Sequence, residues 1–428
     1  VDLLVKAVTL VDSASSLAGQ VVDLLLKDGK IKQIAPNIEA DNVPVVTEPG
    51  LHCSIGWFDL IAFCGEPGYE HRETLENFTR AAAYGGFTEV ACLPNLHPIT
   101  QTRAAVEYFR YKAGQGIVKV HPIAAVTQDL DGKDLTEILD LKAAGAIAFS
   151  DGTDALQAED AVVKALEYLK LFGGVLINRP ENRKIANGGH MHEGVASTRL
   201  GLKGVPAIAE EMQVARDLQL LKYNGGRLHL TQLSTAAAVD AVRQAKQEGL
   251  QVTCDVAAHQ CAFTDETLVP FDANYKVSPP FRSETDKRAL LAALQDGTID
   301  TIVSAHLPWN EEGKELEFDL AEAGIIGLQT AFSVANETMA PQLDWQGIVE
   351  KLTVGSRKVV DLPVPELQEG ASANLTFFHP TKTWTFQEQV NASAAKNSPF
   401  LGRQLQGCVW GTYVNGQLTR NPAYPTQA

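Results

Sequence analysis

Ten histidines and six cysteines are the side chains of this 428-residue chain best suited to metal or nucleophilic chemistry, and their spacing argues against most of it. A hydrolytic zinc site needs several nitrogen, sulfur or carboxylate ligands converging on one ion, with a position left for water. Yet no histidine lies between His52 and His71, nor between His121 and His190. His190 and His192 sit in a glycine-rich loop and His259 follows a candidate strand, where surface or structural roles are expected. His52 neighbours Cys53, but two such residues do not complete a four-ligand site. Cys53, Cys64, Cys92, Cys254, Cys261 and Cys408 show no CxxC spacing and read as reduced thiols. No Ser-His-Asp or Cys-His arrangement is evident by motif, so nucleophilic catalysis has no visible nucleophile and base.

The elements that must position any functional residue form a repeating α/β pattern. Short apolar runs begin at Trp57 (WFDLIAF), Phe87 (FTEVACL), Lys119 (KVHPIAAV), Ala144 (AGAIAFS), Gly173 (GGVLINR), Gly226 (GRLHLTQL), Gln251 (QVTCDVA) and Thr298 (TIDTIVSAH). Between them lie helical segments such as LENFTRAAAYG from Leu75, DLTEILDLKAAG from Asp134, AEDAVVKALEYLK from Ala158 and ETDKRALLAALQDG from Glu284. Eight β units with intervening helices predict a (β/α)8 TIM barrel, with a doubly wound sheet as the alternative. Helical stretches near Ala323–Glu337 and Trp345–Val359 would close the barrel. At both chain ends, Asp28-Gly29 and Asn415-Gly416 separate strand-like runs and predict two-residue hairpin turns. Residues 1–50 and 362–428 are therefore expected to pair as a flanking β-sandwich, with the barrel spanning 51–361. In such a barrel, chemistry belongs at the C-terminal ends of the strands.

Composition narrows the partners. A chain with 45% hydrophobic and 21% charged residues can bury a large core. Its formal net charge of -16 opposes nucleic acid and anionic membranes, leaving small molecules or proteins. No apolar run approaches the ~20 residues of a membrane helix, and the N-terminus lacks the pattern of a signal peptide, so a cytoplasmic location is expected.

Several segments together resemble the dihydroorotase branch of the cyclic amidohydrolases. They are EPG at Glu66–Gly68, LPN at Leu93–Asn95, SDG at Ser150–Gly152, GGHMHEG at Gly188–Gly194, YKVSPPFRSE from Tyr275, DGTID at Asp296–Asp300 and NSPFLGRQLQGCV from Asn397. The stretch Ile302–Trp309, IVSAHLPW, resembles the family's active-site motif IATDHAPH with its two working residues replaced. The resemblance implies a barrel enzyme that holds zinc and opens a ring amide reversibly, dihydroorotate to N-carbamoyl-aspartate. It also implies which positions would do so. The HxH pair falls on Ile61 and Phe63, and the substrate-gripping arginine on Gly65. HxED becomes RPEN with Arg179 at a ligand position, HxxHxST becomes HLTQLST with Gln232 at the second histidine, and the ligand and general base becomes Ala305. A substrate-side histidine becomes Trp309, and of the ligand positions only Asp151 keeps a side chain able to bind metal.

On this resemblance the chain is expected to hold no metal or cofactor and to have no catalytic residues, with Ala305 and Trp309 marking the loss. Asn95, Asp151, Arg179, Glu181, Gln232, Arg282 and His306 are expected around the old cavity. An Asp151–Arg179 salt bridge is expected where zinc would sit, and a small-anion site using Arg179 and Arg282 is the alternative. The function expected is structural, in pyrimidine biosynthesis, as a partner of aspartate carbamoyltransferase and a homo-oligomer. An active, zinc-dependent cyclic amidohydrolase and a small-ligand sensor are the other readings.

Overall fold

The computed structural model describes residues 1–425 except 13, 14, 16, 269 and 341; residues 426–428, the end of the expected C-terminal segment, lie outside the described residues. Eight parallel strands follow one another around a barrel: Trp57–Ala62, Phe87–Cys92, Lys119–Ala124, Ala148–Phe149, Val175–Asn178, Arg227–Leu230, Val252–Ala257 and Thr301–Val303. Each candidate run contains one of them. The first two strands are buried at every residue, the two-sided burial that gives parallel strands continuous apolar runs.

The barrel closes between its last and first strands. Ser304 donates its backbone N–H to Asp59 at 2.8 Å and its hydroxyl to the same carboxylate, Phe63 N–H donates to His306 O at 2.9 Å, and His306 bridges to Ala62. Inside, Phe58, Ile61, Ile123, Ile177, Val303 and Val359 belong to one apolar cluster, so the barrel has a packed interior.

Outside, the helices begin where their side chains can satisfy free N–H groups. Thr74 caps Leu75–Tyr84 by accepting from Asn77 N–H, and Ser283 with Asp286 forms a capping box at Glu284–Gln295. The longest helix, Ile208–Asn224, follows an excursion containing the short paired strands Met191–His192 and Gly204–Val205. Trp345–Val359 is helical throughout, with a π turn at Lys351–Gly355. The stretch expected to be helical from Ala323 becomes so only at Ala331–Thr338. Before it the chain is held irregularly: Ile325 bridges to His306, and a side chain at Gly327 would meet Ser304 O at 2.2 Å.

The chain ends build one eight-stranded sheet beside the barrel. Its order is Gln417–Arg420, Gln404–Val414, Leu375–Thr385, His52–Ile55, Leu3–Val11, Val21–Lys27 and Lys30–Ala35, with Val45–Thr47 on Leu3–Val11. The sandwich is one continuous curled sheet, and its edge strand Lys30–Ala35 meets the segment leading into Leu375–Thr385, with Ile31 N–H donating to Ala371 O at 2.9 Å. It takes in His52–Ile55, beyond the boundary expected at residue 50. Asp28-Gly29 and Asn415-Gly416 both turn with positive φ at their two residues, as two-residue hairpins require.

Candidate functional site

The C-terminal ends of the strands surround a cavity of about 490 Å³. Asn95, Arg179, Gln232 and His306 line it, together with Ile61, Phe63, Ala305 and Trp309; Asp151, Glu181 and Arg282 do not. Ile61 and Phe63 are 1% and 2% exposed, and Ile61 and Ala305 belong to the apolar cluster of the barrel interior. Gln232 and Ala305 both adopt left-handed backbone, with φ of 57° and 47°. Neither is a residue type that favours it.

Asp151 is turned away from the cavity. Its carboxylate accepts from Val126 N–H at 2.9 Å, Thr127 N–H at 3.0 Å and the Thr127 hydroxyl at 2.5 Å. Burial pushes its pKa up. The expected Asp151–Arg179 salt bridge does not form, because local donors already satisfy the carboxylate. Arg179 instead donates from Nη1 to Ser278 Oγ at 2.7 Å, and its Nη2 lies 3.6 Å from Glu181 Oε1.

A family model described as dihydro-orotase-like matches residues 54–238. The chain is 39% identical over 424 residues to a dihydroorotase of Pelotomaculum thermopropionicum, covering 97% of this chain and 98% of that protein. It is likewise 39% identical over 420 residues to a dihydroorotase of Syntrophus aciditrophicus, with the same coverage. The chain belongs to the dihydroorotase family. The fold of this dihydroorotase-family protein also matches that of L-hydantoinase from Arthrobacter aurescens, with a TM-score of 0.86 at 24% identity over 100% of this chain and 97% of that one. Dihydropyrimidinase from Brevibacillus agri matches with a TM-score of 0.83 at 20% identity, covering 98% of this chain and 95% of that one.

The side chains at the mouth of this dihydroorotase-family barrel do not fit the zinc that the resemblance implies. Three of the corresponding positions carry hydrocarbon, one an arginine and one an amide, and the carboxylate of Asp151 is occupied elsewhere. Among the described residues, no group of three or more His, Cys, Asp or Glu side chains comes together to hold a metal ion.

The histidines have other tasks. His306 accepts at Nδ1 from Gly327 N–H at 3.2 Å and Leu328 N–H at 3.4 Å, which leaves the proton on Nε2, 3.5 Å from Glu73 Oε2. Glu73 in turn takes the Ser393 hydroxyl and Ala394 N–H at 3.0 Å, tying the mouth to the C-terminal segment. His259 lines the cavity edge-on to Phe281, and burial lowers its pKa to about 4, so it is neutral at physiological pH. His190 and His192 are also held below the usual histidine range, first by burial. His52 lies in the curled sheet, packed edge-on against Trp345.

Arg282 is a clamp behind the cavity. It donates to Ser234 Oγ at 3.0 Å and Val205 O at 2.8 Å, with Glu210 at 3.8 Å and His192 Nδ1 at 3.3 Å. Sequence reasoning missed Arg72, a buried cation in the cavity wall packed against Phe63 and Trp309. It also missed Asp255, the buried carboxylate that accepts from His229 Nε2 at 2.8 Å, Thr231 Oγ1 at 2.7 Å and Gln232 N–H at 2.6 Å. The one available signal for Arg72 was a charge placed between aromatic residues in the loop after the first strand.

Proposed function

We propose that this dihydroorotase-family protein serves pyrimidine biosynthesis as a non-catalytic structural partner of aspartate carbamoyltransferase. The observation that supports this reading is the replacement of the ligand set at an otherwise intact barrel mouth. Ile61, Phe63, Arg179, Gln232 and Ala305 cannot together lower the pKa of a bound water or polarise a ring amide, which is the metal's contribution in zinc hydrolysis. The fold around them is kept, with capped helices and a packed barrel interior, which is consistent with use of its surface.

The test is co-expression with the aspartate carbamoyltransferase of the same source, followed by gel filtration and transferase assay. We expect one complex, with an interface on the order of 1,200–2,000 Å², and transferase activity that falls when this chain is omitted. Separate elution with unchanged transferase activity would overturn the proposal. The other reading, reversible ring-amide hydrolysis, draws on the 39% identity to proteins named dihydroorotase. It requires tightly held zinc, about one equivalent per chain by plasma mass spectrometry after dialysis. It also requires a dihydroorotate rate that depends on that zinc. We expect neither, and no recovery of hydrolysis in Ala305→Asp, because Ile61 and Phe63 stay in place.

A further inference from the structure

One helix of the outer ring is apolar on both of its sides. Along Ile208–Asn224, Ala209, Val214, Leu218 and Leu221 are buried. The outward side still carries Ile208, Met212 and Tyr223, which are 46%, 49% and 82% exposed. Among the described residues, no large apolar side chain is exposed on Ala236–Gln247, the helix packed beside it, or on Glu284–Gln295 beyond. A surface helix ordinarily turns polar residues outward, so a second apolar stripe marks a face that something covers. The outward positions Ile208, Met212, Ala215, Gln219 and Tyr223 step by four, three, four and four residues, close to the spacing at which one helix packs along another. Lys170 Nζ donates to Asn224 O at 2.7 Å, which brings the end of Glu159–Lys170, with the exposed Tyr168 and Leu171, to the end that bears Tyr223. Charge flanks the stripe on one side. Glu211 lies near the helix start, its carboxyl held above the usual range by burial and by Glu210 and Asp286, with no cation at ion-pair distance among the described residues. Lys222 follows three helical turns later on the same flank, 2.7 Å from the exposed Glu248.

We propose that the outward face of Ile208–Asn224 is a two-fold interface between two copies of this chain, with the helix packed antiparallel on the same helix of the second copy. An axis crossing near Ala215 sets Ile208 against Tyr223 of the second copy and Met212 against Gln219. Ala215 meets itself, where its small side chain permits close approach. Glu211 then faces Lys222 of the second copy, and this pair forms twice because a two-fold contact is self-complementary. A foreign partner of one charge would answer only one end of the face. The helix is about 25 Å long. With Tyr168 and Leu171 beside it, the face is on the order of the 800 Å² per partner that a stable dimer buries. This contact is separate from the transferase partnership proposed above and does not depend on it.

Sedimentation equilibrium of the full chain alone, at micromolar concentration, tests this. The parent is expected to be a dimer. Ala215→Glu sets like charges face to face at the axis and should leave a folded monomer, with an unchanged circular dichroism spectrum. Glu211→Lys and Lys222→Glu should each weaken the dimer by about tenfold or more, since each replaces two attractions with two repulsions. The double variant exchanges the two charges and should dimerise within about threefold of the parent. That recovery separates a lost contact from a folding defect, because a second surface charge would not rescue a misfolded chain. A monomeric parent, a dimer that survives Ala215→Glu, or a double variant no better than its single variants would overturn the proposal. A chain monomeric alone but complexed with the carbamoyltransferase would overturn it too, and would give this face to the transferase.

Discussion

The two ends of the barrel treat buried charge in opposite ways. At the N-terminal end, Glu89 accepts from His121 Nε2 at 2.8 Å, Arg357 Nη2 at 3.0 Å and Asn374 Nδ2 at 3.2 Å, so one carboxylate ties two strands, the last barrel helix and the approach to the curled sheet. At the mouth, Arg72 is about as deeply buried but packs on rings, and Glu322 acts on it only from a distance. The closed end is held by paired charge, and the open end keeps a cation without its counter-ion. A buried pair is costly to break, whereas a buried lone cation is cheap to remove.

The largest effect is therefore expected at the closed end. Arg357→Met should destabilise the fold by about 3–5 kcal/mol in denaturant unfolding, because it takes the buried guanidinium partner from the Glu89 carboxylate and leaves it to His121 and Asn374. Acid sharpens the point. Arg357 and His121 hold Glu89 at about 2 against burial, below its usual 4.5. A carboxyl depressed in the fold stabilises it above the unfolded value, and that contribution is lost as pH falls through about 2. Glu89→Gln should remove this loss from the acid limb. An unchanged unfolding midpoint in Arg357→Met would erase the contrast between the two ends.

Next in size is His259 at the mouth. Its pKa falls from 6.5 to about 4 through burial alone, so between those values the unfolded chain binds the proton and the fold does not. Stability then rises with pH across that window, by up to about 3 kcal/mol for such a shift. Asp59 runs the other way: burial raises it from 3.8 to about 7, so the fold holds the extra proton and stability falls as pH rises. His259→Leu isolates the first contribution, and its stability curve between pH 4 and 6.5 should be flatter or inverted relative to the parent. Parallel curves would show that the imidazole titrates freely.

How far the sequence carried differs between fold and site for physical reasons. Strands buried on both faces produce continuous apolar runs, and Asp-Gly and Asn-Gly pairs produce hairpin turns, so the barrel and both terminal hairpins were readable. The stretch before Ala331 looks helical by composition, but tertiary contacts at Ile325 and Gly327 hold it in an irregular path close to Ser304. At the mouth, the motifs located Ile61, Phe63, Arg179, Gln232 and Ala305 but could not say which way Asp151 faces. That orientation is set by the amides of Val126 and Thr127. For Arg72 the local sequence offered only a charge near aromatic residues, since one of its two ring contacts, Trp309, comes from the far end of the barrel sequence.

A smaller effect is expected on removing the lone cation. Arg72→Met should change stability by no more than about 1 kcal/mol, since the lost ring contact is offset by the relieved desolvation of the guanidinium. Denaturant midpoints of Arg72→Met and Arg357→Met, compared under one condition, give the contrast directly. A loss in Arg72→Met as large as that in Arg357→Met would show that Arg72 is paired in solution.

The smallest effect concerns the backbone at the mouth. Gln232 holds φ at 57° while its N–H donates to Asp255 Oδ1, so the carboxylate that organises His229 and Thr231 also fixes this turn. A non-glycine residue there is strained by on the order of 1–2 kcal/mol. Glycine relieves the strain but loses about 0.5–1 kcal/mol through the greater freedom of the unfolded chain. Gln232→Gly should thus stabilise the protein by roughly 0.5 kcal/mol, the difference between these two effects. Gln232→Ala keeps the strain and should show no gain, so the pair separates backbone relief from loss of the side chain. Destabilisation by both, equally, would mean that the amide group supports the mouth, and the strain argument would fail.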